Sequence, residues 1–285
     1  MERIQIAVQK SGRLLDGSLE ILKECGIKVP KPQGQLKASV ANFPMDLLFL
    51  RNSDIPQYVE DGVADIAIIG GNILEEQEPK VKTVLPLGFS KCKVSLAAPK
   101  SSSISSVKDF EGKKIATSYP VTLRKYLKEK DVNAEIHTIS GSVEIAPTIG
   151  LADGICDIVS TGNTLFMNGL KEVEEMLHSE AVLIANTSLS NAKQKLLDQL
   201  VFRIQSVLAA KNSKYVLLNC KEENLEAISS ILPGIKSPTV MPLAKKGWIS
   251  VHSVIQEQQF WNNIDALRNA GAEGILIVPV EKMIQ

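Results

Sequence analysis

The sequence predicts an α/β protein of two lobes followed by a small separate domain, and three observations carry that prediction. Short apolar runs alternate with helical patterns over the first two hundred residues. One stretch of sequence recurs in altered form about ninety positions later. The last seventy-five residues change to a β-α-β-β-α-β order. Near-continuous apolar strands alternating with helices argue for sheets buried on both faces.

In chain order, IQIAVQ (4–9) reads as the first strand, and LLDGSLEILKECG (14–26) as an amphipathic helix stopped by Gly26. MDLLFLR (45–51) precedes the helix-like DIPQYVEDG, and DIAIIGG (65–71) precedes NILEEQE. A second set follows: KVSLAAP, KKIATSY, AEIHTI, ICDIVS and VLIAN, with SSSISSV (101–107) as a loop leading into a helix. TLFMNGLKEVEEML (164–177) has helical spacing and is expected as one helix. DGVADIAIIGGNIL (61–74) and DGICDIVSTGNTL (153–165) share D-G-x-x-D-I, an apolar run and G-N-x-L, which points to two lobes built alike. Ligands of such sheets bind at the carboxyl ends of strands, so a cleft between the lobes is expected. SNAKQKLLDQLVFRIQSVLAA (190–210) reads as a helix leading out of the core. Beyond it, KYVLLNC, ENLEAISSIL, PTVMPL, GWISVHSVI, QFWNNIDALRNAG and GILIVPV give the ferredoxin-like order. The expected division is therefore a core of 1–211 (lobe I about 1–91 and 181–211, lobe II about 92–180) and a domain of 212–285.

Composition bounds the function. Thirty-two basic and thirty-two acidic residues cancel, so no global field marks a nucleic-acid or membrane partner. MERIQIAVQK does not read as a signal peptide, and no apolar run approaches the ~20 residues of a spanning helix, so a cytoplasmic protein is expected. Cys25, Cys92, Cys156 and Cys220 lack metal or redox spacing and read as free thiols. Cys92 stands between Lys91 and Lys93, a setting that lowers a thiol pKa.

The chemistry gathers in two places. Ser160, Thr161, Gly162, Asn163 and Thr164 form a hydroxyl-rich turn between a strand and a helix. Such a turn either caps the helix or holds a phosphomonoester on backbone amides and hydroxyls. The equivalent first-lobe turn, Gly70-Gly71-Asn72, lacks hydroxyls, so the two turns are expected to differ in role. Glu144 and Asp157 lie near the second-lobe turn; carboxylates there either end helices and turns or serve ribose hydroxyls or a Mg²⁺ ion. Lys10, Arg13 and Arg51 follow the first and second apolar strands and could clamp a pyrophosphate.

QKSGRL, LRNSDIPQYVEDGVADIAIIGGN, GSVEIAPTIGLADGICDIVSTGNTL and the terminal β-α-β-β-α-β unit, in this order, resemble ATP phosphoribosyltransferase of the long, histidine-regulated form. The resemblance covers essentially the whole chain. It implies a two-lobed, periplasmic-binding-protein-like catalytic core that joins the ribose of phosphoribosyl pyrophosphate to N1 of ATP and releases pyrophosphate. It also implies Mg²⁺, feedback inhibition by histidine, and dimers that assemble into hexamers. On this resemblance Ser160 through Thr164 hold the 5′-phosphate, and Glu144 and Asp157 serve the ribose hydroxyls or the metal. Lys10, Arg13 and Arg51, with Gly70 and Asn72 of the first-lobe turn, meet the pyrophosphate or the ATP phosphates. Asn219, Thr239, Gly271 and Ala272 would receive the inhibitor histidine. The tandem acidic pair of many other phosphoribosyltransferases is absent, the position reading Cys156-Asp157. The rival reading is a two-lobed small-molecule binding protein without catalysis.

Overall fold

The structure is a computed structural model that describes residues 2–30, 34–160, 162–232 and 234–284. The chain divides into two compact units, 1–198 and 199–285, so the division falls inside a helix and earlier than the boundary near 211 read from the sequence.

The first unit holds two sheets. β1 (Ile4–Gln9), α1 (Arg13–Glu24), β2 (Lys37–Ser39), β3 (Met45–Leu50), α2 (Ile55–Glu60), β4 (Ile66–Gly70), α3 (Gly71–Gln77) and β5 (Lys82–Pro86) come first. The chain then crosses to β6 (Cys92–Pro99), β7 (Lys114–Thr117), α4 (Pro120–Glu129), β8 (Glu135–Thr138), β9 (Gly154–Val159), α5 (Asn163–Met167) and β10 (Leu170–Ser179). β11 (Ala181–Ala185) returns to the first sheet and α6 (Asn191–Ala210) follows. The first sheet has the order β2-β3-β1-β4-β11-β5 and the second β10-β6-β9-β7-β8. β3, β1 and β4 run parallel, as do β8, β7 and β9. The strands beyond them are antiparallel, so each sheet is mixed rather than wholly parallel. Ile4, Ile6, Ala7 and Val8 of β1 are fully buried, as a strand covered on both faces requires.

The sequence pattern misleads at one place. The helix expected over 164–177 is a five-residue α5 followed by the ten-residue strand β10, antiparallel to β6. The pairing of β10 shifts register between Glu172 and Glu174 and again between Glu175 and Leu177. Each bulge adds one residue to a period-two strand, so Leu170, Val173, Met176 and Leu177 fall at helical spacing although the backbone is extended. Val173, Met176 and Leu177 pack against the second-lobe core around Leu96, Phe110 and Leu123.

Two connections join the lobes, one through Leu87–Lys91 and one through Glu180. Gly17 lets the first lie against α1, because a Cβ there would stand 2.3 Å from the Phe89 ring. A further tie is polar. Asn72 at the start of α3 donates its backbone N–H to Ser179 Oγ (2.8 Å) and its side-chain amide to the Tyr119 hydroxyl (3.0 Å). Glu76 of α3 caps α4 of the other lobe, accepting from the N–H groups of Val121 and Thr122 at 2.9 Å each. A carboxylate at a helix N-terminus meets unpaired amides and the positive end of the dipole together.

The second unit contains β12 (Ser213–Lys221), α7 (Leu225–Ile231), β13 (Thr239–Pro242), β14 (Trp248–Gln256), α8 (Glu257–Asn269) and β15 (Glu273–Pro279). Its all-antiparallel sheet has the order β13-β14-β12-β15. This is the β-α-β-β-α-β arrangement expected from the sequence. Val216, Leu218, Cys220, Val251 and Ile255 pack with Ile228, Phe260 and Leu267 of the helices. No described helix is long and apolar enough to cross a membrane.

Candidate active site

The parallel strands β3, β1 and β4 place their carboxyl ends side by side. Gln9 is paired with Leu50, and the Lys10 N–H donates to the Leu50 carbonyl at 2.8 Å, so Lys10 and Arg51 leave the sheet at adjacent points. Arg13 is the first residue of α1. All three side chains are exposed, and none makes an ion pair among the described residues. Three unneutralised cations on one edge make that edge attractive to a polyanion.

The second lobe supplies the facing wall. β9 ends at Val159, Ser160 follows, and Gly162 adopts φ +76°, a left-handed turn that suits glycine, before Asn163 and Thr164 open α5. Thr161 lies outside the described residues. Arg13 Nη1 donates to Ser160 Oγ at 3.3 Å, which brings the cationic edge of one lobe to the hydroxyl turn of the other. A cleft of about 240 Å³ lies there, lined by Gln9, Arg13, Leu14, Asn52, Gly70, Asn72, Ser90, Lys91, Cys92, Ile158 and Ser160. Lys10 and Arg51 occupy the same strand edge but do not line this void.

The two candidate carboxylates belong to the second lobe, and neither lines this void. Asp157 lies in β9 and Glu144 in the short 3₁₀ turn Val143–Ile145. Burial, and with it the negative charge of Glu144, holds the Asp157 carboxyl above its ordinary range against an opposing hydrogen bond from the Ile158 N–H at 2.8 Å. A half-buried carboxylate beside a like charge gains from any cation or hydroxyl donor that enters.

Other expectations need revision. Cys92 lines the cleft, yet burial raises its thiol pKa despite the flanking lysines, against an opposing hydrogen bond with Ser179. Cys92, Cys156 and Cys220 are free thiols, and the Cys156 thiol is pushed up to about 12 by burial. Asn72, read from sequence as a phosphate ligand, has its side chain occupied by Tyr119 and Ser179 while still lining the cleft. The sequence offers no signal for Tyr119 or Ser179, and Asn52 stands beside Arg51 without a motif of its own.

The second-unit candidates lie away from these groups in sequence. Asn219 is paired with Ser250 and Thr239 with His252, so both face the side of the sheet opposite the helices. The ring nitrogens of His252 are taken by the Tyr215 hydroxyl (2.9 Å) and Ser250 Oγ (3.0 Å). Gly271 has φ +87° and a Cβ there would stand 2.4 Å from Asn224, while Ala272 is buried in the core.

A sequence model described as ATP phosphoribosyltransferase matches residues 51–206, and one described as the HisG C-terminal domain matches 210–282. The chain belongs to the ATP phosphoribosyltransferase family. It has the long form, with the C-terminal domain. Family relatives named ATP phosphoribosyltransferase include one from Cytophaga hutchinsonii, 52% identical over 282 residues, and one from Parabacteroides distasonis, 53% identical over 281 residues. Each alignment covers 99% of both chains. A solved ATP phosphoribosyl transferase (HisG:HisZ) complex from Thermotoga maritima matches with a TM-score of 0.60 at 29% identity, over 71% of this chain and 98% of that one. The L-arginine-bound protein Tv2483 matches at a TM-score of 0.53 and 12% identity, over 73% of this chain and 85% of that one, a likeness of fold alone. The two-lobed fold is therefore shared with binding proteins, and family membership decides for the enzyme.

Proposed function

We propose that this chain carries out the family reaction in its interlobe cleft: N1 of ATP attacks C1′ of phosphoribosyl pyrophosphate, the N1–C1′ bond forms, and the C1′–O bond breaks with its electron pair leaving on pyrophosphate. This is the first step of histidine biosynthesis. The observation that carries the placement is the Arg13–Ser160 contact, which brings a cation-rich strand edge and a hydroxyl-rich turn to one cleft. In such a displacement charge grows on the leaving pyrophosphate while the ribose becomes oxocarbenium-like. Lys10, Arg13 and Arg51 are suited to the first change. Ser160, Gly162, Asn163 and Thr164, together with Thr161, are suited to fixing the 5′-phosphate, so that C1′ is held in place.

No cluster of three metal-ligating side chains occurs among the described residues. The Asp157 carboxylate, which feels the charge of Glu144, still fits Mg²⁺, an ion that takes one or two carboxylates and completes its shell with substrate phosphates and water. When bound, the ion would screen the phosphate charge that these carboxylates otherwise oppose. Without it they remain acceptors for the ribose hydroxyls.

The second unit is proposed to receive histidine as inhibitor through Asn219 and Thr239, a reading supported by their place on one open sheet face. The same face exposes Tyr215, Met241, Leu276 and Val278, which supports assembly of copies into dimers and hexamers. The balanced charge and the biosynthetic role support a cytoplasmic enzyme with no nucleic-acid or membrane partner. The test is pyrophosphate release in the presence of ATP, phosphoribosyl pyrophosphate and Mg²⁺. Release that requires both substrates supports the reading, and release from phosphoribosyl pyrophosphate alone contradicts it.

A further inference from the structure

Glu76 of α3 supplies what helix α4 of the other lobe lacks. Helices are ordinarily capped by their own chain, with Ser, Thr, Asp or Asn at the N-cap position. α4 has Tyr119 there, which makes no side-chain cap hydrogen bond, and Pro120 follows. Glu76, half-buried and 45 residues before Val121, fills the gap. Its Oε1 accepts from the Val121 N–H at 2.9 Å, and its Oε2 accepts from the Thr122 N–H at 2.9 Å and the Thr122 hydroxyl at 2.8 Å. A carboxylate on unpaired amides at the positive end of a helix dipole makes charge-assisted bonds, the strong kind.

The place of these bonds decides what they do. Two chain crossings, Leu87–Lys91 and Glu180, join the lobes, and two crossings define a line about which hinge rotation is easy. α3 starts at that line, where the Gly71 N–H donates to the Glu180 carbonyl at 2.9 Å. Glu76 lies five residues further along the helix, about 7.5 Å away. Its bonds to α4 therefore act off the line and fix the angle between the lobes, with Ile73 packed on the second-lobe core beside them. Across the cleft, the Arg13–Ser160 contact is a single exposed bond of 3.3 Å and the weaker constraint. On the reading proposed above, phosphoribosyl pyrophosphate spans that angle, its 5′-phosphate on the turn that begins at Ser160 and its pyrophosphate on Lys10, Arg13 and Arg51. Resting on that reading, we infer that Glu76 is a positioning residue: without lining the cleft, it holds the two half-sites at the span that phosphoribosyl pyrophosphate bridges. If the lobes rotate, a bridging ligand binds only the aligned fraction of molecules, and its apparent affinity falls by that fraction. A ligand confined to one lobe is unaffected.

The experiment measures Kd by calorimetry, with Mg²⁺ and without ATP, for phosphoribosyl pyrophosphate, which bridges the lobes, and for ribose 5-phosphate, whose groups all fall on the second lobe. The proteins are the wild type, Glu76→Gln, Thr122→Val and Glu78→Gln. Glu76→Gln keeps the size of the side chain but turns one acceptor into a donor, so it should weaken phosphoribosyl pyrophosphate about tenfold or more and leave ribose 5-phosphate within about twofold. Thr122→Val removes one of the three donors and should shift the same ratio by about threefold. Glu78→Gln breaks only an exposed pair with Lys125 and should move neither constant. Thermal unfolding runs alongside. A lower midpoint in Glu76→Gln with an unchanged ratio of the two constants would make Glu76 a helix cap alone and overturn the inference, as would equal weakening of both ligands. A wild type that binds phosphoribosyl pyrophosphate no more tightly than ribose 5-phosphate would also overturn it, since nothing would then be bridged. Should Glu76→Gln fail to fold, Thr122→Val decides by the same ratio. A wild type that binds neither ligand would refute the transferase reading and this inference together, whereas tight binding of phosphoribosyl pyrophosphate that survives both substitutions refutes the inference alone.

Discussion

Replacing Arg51 by alanine should separate catalysis from stability. The side chain is exposed at the end of β3, without an ion pair among the described residues, so its truncation should alter folding stability by no more than about 0.5 kcal/mol. Its proposed work begins only as charge builds on the leaving pyrophosphate. A hydrogen bond to a charged group contributes roughly 1.5–3 kcal/mol, which corresponds to a loss of about 10- to 150-fold in turnover. Lysine at this position should restore part of the rate, since a bidentate fork becomes a point charge. Steady-state pyrophosphate release over a matrix of both substrates reads kcat and KM separately, and thermal unfolding supplies the control. Full turnover with a raised KM would reassign Arg51 to uniform binding. A large fall in the unfolding midpoint would show that the side chain is structural.

Three further changes probe other parts of the account. Asp157 is held above its ordinary value of 3.8, so the folded state binds this proton more tightly than the unfolded state, and the group costs stability as pH rises through the window above 3.8. Asp157→Asn should therefore raise the unfolding midpoint at pH 7, lose that gain at pH 3 and lower turnover; a lower midpoint at pH 7 would contradict the assignment. Tyr119→Phe leaves the buried Asn72 amide without an acceptor and should cost about 1–3 kcal/mol in urea unfolding, whereas an unchanged midpoint would show that the tie between the lobes is not energetic. Asn219→Ala should weaken histidine binding in calorimetry while leaving the uninhibited rate unchanged, and unaltered binding would move the inhibitor elsewhere.

The sequence made the alternation of the core legible because buried strands such as β1 and β4 are mostly apolar and end at glycine or charged turns. The terminal domain was legible for the same reason, its strand order following from punctuation at Gly234 and Gly271. β10 was not, since two bulges gave an extended chain the apolar spacing of a helix. The short strands β2 and β5 were missed as well, and neither shows a sustained apolar run. At the site, cations at strand ends could be read from position, but a contact such as Arg13–Ser160 spans 147 residues and needs the fold. Asn72 shows the same limit: its place in the turn was visible, while its partners Tyr119 and Ser179 lie 47 and 107 residues away.

The central claim is that this chain transfers phosphoribosyl to ATP rather than merely binding ligands between two lobes. Mass spectrometry of the nucleotide product, with pyrophosphate quantified in the same reaction, tests it most directly. The account predicts one phosphoribosyl group added per ATP, attached at N1 with the triphosphate intact, and one pyrophosphate released for each. Unmodified ATP after incubation with folded protein, Mg²⁺ and phosphoribosyl pyrophosphate in the absence of histidine would contradict it.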